Sequence, residues 1–154
     1  MSPDASRAVV QAVRDGERWM LRLDDGQDLF AELVALAERE QLRAAAIAFG
    51  IGMFRRAVLG YWDGAQYVRS PLSVPHEVVA LHGSIAVADG RPSVHLHAAL
   101  AGPDHRLVGG HLIEATVGVL QELLVETFPG RTFGRPLVES FGLRMLDLEP
   151  VSRP

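Results

Sequence analysis

Four of the six histidines in the chain fall within HLHAALAGPDHRLVGGHL, residues 95 to 112. His95 and His97 are separated by one residue, and His111 directly follows Gly109-Gly110. In a β-strand, residues two apart share a face about 6–7 Å apart, so both imidazoles can converge on one point while Leu96 turns to a core. His111 lies fourteen residues past His97, across a turn at Gly102-Pro103-Asp104. That spacing suits an adjacent antiparallel strand that brings His111 beside the pair. The two glycines would let the backbone bend or bulge to aim it.

Three neutral imidazoles on a rigid sheet suit zinc or a similar divalent metal at about 2.0–2.1 Å, with a fourth position open to water or a substrate. Carboxylates nearby would fix the imidazole tautomers, and Glu77, Asp104 and Glu114 are the candidates. The residues alone leave a second reading open, in which the histidines are hydrogen-bonded side chains of a polar cleft that holds no metal. Arg55 and Arg56, beside Gly50-Ile51-Gly52, form a candidate anion-binding patch if symmetry multiplies them. The plainer reading of the pair is a solvated strand end.

The elements that must position these residues are legible from patterning. Residues 19–23 alternate as a strand, and Asp24-Asp25-Gly26 make a turn, with Asp25 or Gly26 as the expected helix N-cap. Leu29, Leu33, Leu36 and Ala37 then follow helical spacing. RAAAIAFGIG and MFRRAVLGYWD read as two strands joined at Gly50-Ile51-Gly52. A short strand in AQYVRSPLSV follows, punctuated by Pro71 and Pro75. HEVVALHGSIAVADG, PSVHLHAALAG and HRLVGGHL come next as strands between turn signals. TVGVLQELLVETF, rich in β-branched residues, reads as a long bent strand, and LVESFGLRMLDLEP closes with a strand and a polar tail. One helix near the start and a series of strands predict a single compact α+β domain over residues 1–154, with a largely antiparallel sheet.

Composition narrows the function. The chain has 154 residues, 48% of them hydrophobic, and no cysteine. It can therefore bury a core without disulfides, and thiolate zinc sites and cysteine nucleophiles are excluded. The N-terminal stretch has no charged region followed by an apolar run, and no stretch reaches the ~18 apolar residues of a spanning helix, so a soluble cytoplasmic protein is the expectation, with no membrane partner. The net formal charge is −4, which weighs against a dominant phosphate-binding face. All the basic residues are Arg; with abundant Ala, Leu and Val, this reads as compositional bias. The lone Gly-x-Gly at residues 50–52 precedes a strand where a dinucleotide fingerprint needs a helix. No P-loop, Gly-x-Ser-x-Gly or His-Glu-x-x-His occurs.

The ordered set of LRLDDGQDLFAELVALA, FGIGMFRRAVLGYWD, HEVVALHGSIAV and HLHAALAGPDHRLVGGHL resembles the PPC family (plants and prokaryotes conserved domain, also called DUF296), over about residues 18 to 142. The resemblance implies a compact α+β domain that assembles as a homotrimer. It also implies a metal site, often zinc, with His95, His97 and His111 as the ligands. Plant members are nuclear DNA-binding regulators, and prokaryotic members are commonly labelled DNA-binding proteins. In the plant proteins an Arg-Gly-Arg-Pro hook outside this domain enters the minor groove. Here the nearest strings are Gly90-Arg91-Pro92 and Gly134-Arg135-Pro136, each without the preceding Arg and each at an expected turn. His82 stands where the family more often has a small or polar residue, and reads as a core histidine or as a partner to the ligand set. His76 and His105 read as loop residues.

Three functions follow as expectations. The first is a trimeric regulatory module with a metal or small-ligand site, in contact with DNA. The second is an enzyme whose metal activates water or a carbonyl of a small molecule, with Glu77 or Glu114 as general base. In the third, the histidine cluster serves only to hold the trimer together.

Overall fold

The computed structural model describes residues 10–148. Residues 1–9 of the N-terminal stretch read for a leader, and residues 149–154 at the end of the polar tail, fall outside that range. Strands β1 (Gln11–Asp15) and β2 (Arg18–Asp24) form a hairpin, followed by helix α1 (Leu29–Arg39). Then come β3 (Ala45–Trp62), β4 (Tyr67–Leu72), β5 (His76–Ala88), β6 (Arg91–Ala101) and β7 (Leu107–Thr127). The short strands β8 (Leu137–Val138) and β9 (Leu143–Arg144) complete the order.

All pairings between these strands are antiparallel, and the main sheet runs β1-β2-β7-β6-β5-β3-β4, with β7 also paired to β3. The ladder β3–β5–β6–β7 therefore returns to β3, and the sheet curls round on itself. Register shifts along the β3–β7 ladder, between Ile47 and Phe49 and again between Gly52 and Phe54, supply bulges that such curvature needs. Together with one helix this is the expected α+β architecture.

The core explains which way the histidines face. Along β6, Leu96, Ala98 and Leu100 are buried, so the alternate positions His95 and His97 must stand on the opposite face. Leu21 and Leu23 on β2, Leu81 and Ile85 on β5, and Leu123 and Val125 on β7 fill the same interior. Helix α1 packs against β6 and β7 through Leu29, Leu33, Leu36 and Ala37.

Several local expectations are corrected. The helix is capped by Asp28, whose carboxylate accepts from the Ala31 amide at 2.9 Å, and not by Asp25 or Gly26. Asp25 instead accepts from the Val119 amide at 3.0 Å and pairs with Arg55. Gly50-Ile51-Gly52 is no joint: β3 runs unbroken through it, and Gly52 (φ 147°) allows close approach to β7, where a Cβ would lie 2.3 Å from the Leu120 carbonyl oxygen. HRLVGGHL and TVGVLQELLVETF are one strand, β7, and the closing strand is two two-residue pieces. The β1–β2 hairpin was missed, although Asp15-Gly16 is a turn signal; Gly16 takes φ 57° there.

Candidate metal centre

Antiparallel register brings the histidines together. His97 on β6 lies directly opposite His111 on β7, and His95 lies opposite Ser84 on β5. One ring nitrogen from each of His95, His97 and His111 lies within 4.8 Å of the others, with no carboxylate in the group. Ring centroids are 5.1 Å apart for His95–His97, 5.0 Å for His95–His111 and 5.4 Å for His97–His111. Gly83 and Gly109 let the strands approach here: a Cβ on Gly83 would sit 1.9 Å from the His95 carbonyl oxygen, and one on Gly109 2.6 Å from that of Ala98.

His95 and His111 are half-buried and His97 is exposed. Tyr67 on β4 stacks on the His111 ring at 4.5 Å and is itself met edge-on by Trp62 at 5.2 Å. His111 Nδ1 is buried without a hydrogen-bond partner. Burial, then the charge of Arg135, then the neighbouring imidazoles push His95 down to about 4. Burial first, and then His97 and Arg135, lower His111 as well. Both rings are thereby held in the neutral form that a metal ion requires of a ligand.

The other sequence candidates stand apart from this cluster in their bonding. Glu114 is ion-paired with Arg69. Asp104, in the β6–β7 turn, accepts from the Arg106 amide at 3.1 Å. Glu77 is exposed near the start of β5, opposite Ala101. His82 lies opposite His97, but it is exposed, and its Nδ1 is 2.9 Å from the Ala48 carbonyl oxygen, so it is not a core histidine. Arg55 is paired with Asp25, while Arg56 lines a small surface cavity with Glu114. His76 opens β5 rather than lying in a loop, with its Nδ1 2.8 Å from the Val74 carbonyl oxygen, and His105 lies in the turn before β7.

Sequence reasoning overlooked Arg135. Residues 133–135 run beside the end of β5, with the Val87 amide donating to the Phe133 carbonyl at 2.8 Å and the Arg135 amide to the Val87 carbonyl at 2.8 Å. This delivers the Arg135 side chain, in a residue 6% exposed, to Ser84, whose hydroxyl accepts from its Nη2 at 2.8 Å. Its Nε is buried with no acceptor, and burial lowers the guanidinium's pKa. Arg135, His95, His111, Tyr67 and Ser84 line one cavity of about 550 Å³, together with Phe141, Leu143, Arg144, Met145 and Leu146. The only signal was Gly134-Arg135-Pro136, which reads as a turn because nothing local reveals that it lies along β5.

The chain is similar throughout to solved structures. A metal-containing protein from Archaeoglobus fulgidus is 34% identical, with a TM-score of 0.79 over 90% of this chain and 98% of that one. A plant- and prokaryote-conserved protein from Pyrococcus horikoshii is 27% identical, with a TM-score of 0.78 over 91% and 95%. A proposed DNA-binding protein from Ralstonia eutropha is 26% identical, with a TM-score of 0.82 over 89% and 95%. Among curated proteins, the bifunctional protein GlmU of a Synechococcus strain is 33% identical over 133 residues, or 86% of this chain. The chain spans only 20% of that relative's length, and 14% of a second Synechococcus GlmU to which it is 40% identical over 93 residues. With residues 10–129 matching the family as a whole, the chain belongs to the Plants and Prokaryotes Conserved (PCC, or PPC) domain family.

Proposed function

We propose that this chain is a one-domain PPC module that holds a divalent metal, zinc or one similar, on His95, His97 and His111. In this reading it assembles as a homotrimer and serves a regulatory role with DNA as its partner. The observation that carries the metal assignment is the convergence of three imidazole nitrogens within 4.8 Å on two rigid strands. The buried, unpartnered Nδ1 of His111 and the neutral state imposed on His95 fit the same donor set. The likeness to a metal-containing archaeal protein supports it too. The regulatory and DNA reading leans on the Ralstonia relative and on the family. The trimer leans on the family resemblance. Among the described residues no helix is long and apolar enough to cross a membrane.

A bound metal would supply Lewis acidity and a water made acidic enough to ionise near neutrality. The chain's part is to hold three neutral nitrogens in place, to stack Tyr67 on one of them, and to set a positive charge, Arg135, nearby. The cavity against His95 and His111 favours a second reading, an enzyme acting on a small molecule at this site. Glu114, tied to Arg69, is poorly placed as its base.

The test is metal content by mass spectrometry on untagged protein, beside the His95→Ala/His97→Ala double variant. About one metal per chain, lost in the variant, is the expected result. A wild type that carries none and takes up none from added zinc overturns the metal assignment. The enzyme reading fails if His97→Ala loses its metal and yet keeps any turnover found.

A further inference from the structure

Arg135 poses an electrostatic problem that the metal reading does not solve. Its residue is 6% exposed, yet among the described residues no Asp or Glu forms an ion pair with it. The Ser84 hydroxyl is neutral, and Nε has no acceptor at all. A buried guanidinium without a counter-charge is costly, and the positive charge of a metal on the adjacent histidines would add to that cost. The neighbouring Arg144 shows the contrast, since it is paired with Asp89 and also donates to the Arg135 carbonyl at 3.1 Å.

The surroundings of Arg135 define what could balance it. The cavity of about 550 Å³ that it lines falls within the roughly 300–1,000 Å³ of small-molecule sites. One wall is polar: Ser84, Ser93, His95, His111 and Arg135. Most of the remaining lining is apolar, and its Phe141, Met145 and Leu146 are 61%, 45% and 45% exposed. Large apolar side chains left this open beside Arg135, with the Asp89-paired Arg144 also in the lining, form an amphipathic receptor. The segment bearing them is pinned at its base, where Gly134 and Asp147 exchange amide-to-carbonyl hydrogen bonds at 2.7 and 2.8 Å.

We propose that this cavity binds a small organic carboxylate, its anionic head on the Arg135 guanidinium beside the histidine cluster and its apolar body against Phe141, Leu143, Met145 and Leu146. A planar carboxylate matches the guanidinium fork, and the interaction is strengthened where water is excluded. The inference extends the small-ligand reading of the same site, and it rests on the cavity and Arg135 rather than on the metal.

The test is calorimetric titration of the full chain with acetate, butanoate, hexanoate and octanoate, and with 1-hexanol as the uncharged control. It is run on the zinc-loaded and chelator-treated protein. Hexanoate is expected to bind at least tenfold tighter than acetate and tenfold tighter than 1-hexanol. Arg135→Gln should abolish the preference for hexanoate over hexanol, and Arg135→Lys should retain part of it. Leu146→Ser should weaken hexanoate severalfold and leave acetate unchanged; lying on the exposed wall, it keeps the test open if Arg135→Gln does not fold. Equal binding of hexanoate and hexanol, or no binding of any acid to the wild type, overturns the inference. So does hexanoate binding that survives Arg135→Gln but vanishes in His97→Ala, an outcome that would leave the metal assignment standing with the metal as the anion's anchor.

Discussion

At the scale of single residues, the histidine cluster makes acid a predictable antagonist. The folded chain holds His95 at about 4, below its ordinary 6.5, chiefly because the ring is partly buried. The unfolded chain therefore takes up a proton near pH 6.5 that the folded chain resists until about pH 4, so unfolding is favoured progressively as pH falls through that window. Above pH 6.5 both states are neutral at this ring and it contributes no pH dependence; below about 4 both are protonated and the loss levels off. In chelator-treated protein, the denaturant midpoint should drop between pH 6.5 and 4, and His95→Gln, which cannot titrate, should drop less over the same range. Parallel curves for the two proteins would show that His95 is not held neutral. Gly83 permits a second prediction. A methyl group there would sit 1.9 Å from the His95 carbonyl oxygen and 2.8 Å from Leu96 Cδ2, so Gly83→Ala must force β5 and β6 apart at the ligand. The cost should be about 1–3 kcal/mol, as for overpacking generally. Urea unfolding would read that cost, and the metal content of the variant would read the displacement; a variant unchanged in both would mean that the sheet yields here without consequence.

At the scale of elements, the prediction separates what builds the fold from what builds the site. Asp28 caps α1 by accepting from the Ala31 amide, and α1 packs against β6, whose buried Leu96, Ala98 and Leu100 alternate with the histidines. Asp28→Ala should cost about 1 kcal/mol, which in a domain of this size lowers Tm by roughly 2–4 °C. Metal content should stay at the wild-type level, and a variant that lost both would show that the helix end and the centre are coupled. What was legible in the sequence follows the same division. The alternation of His95, Leu96 and His97 is a property of one strand, and the turn before His111 is local, so the three histidines could be placed together from spacing alone. The helical stripe of Leu29, Leu33, Leu36 and Ala37 was legible for the same reason. The β3–β7 bulges were not, because Gly52 is explained only by the Leu120 carbonyl of a strand nearly seventy residues away. Arg135 was hidden likewise: its neighbours Ser84 and Val87 are brought to it by a β-bridge between distant segments.

At the scale of the whole molecule, the question is how a chain of net charge −4 would meet DNA. Much of its cationic field is cancelled locally. Arg18, Arg22, Arg39, Arg55, Arg69, Arg106 and Arg144 are each ion-paired to an Asp or Glu. Arg14, Arg43 and Arg131 gather round one open cavity near the β1–β2 turn, with Glu17 and Glu40 in the same lining. Counterion release sets the salt dependence of duplex binding at about −0.9 per neutralised phosphate in log–log form. A duplex held by these three arginines would thus show a slope of about −3 per copy, and binding to random duplex should be weak and detectable only at low salt. Arg43→Ala with Arg131→Ala should flatten the slope by about two, because each phosphate that goes without its arginine takes away close to one unit. Absence of any binding by tens of micromolar at low salt would remove DNA from the proposed function, since the electrostatic attraction is strongest there. A slope far steeper than these three arginines can supply would instead require a wider phosphate-binding surface than this cavity presents, and would make assembly of several copies a condition for meeting DNA at all.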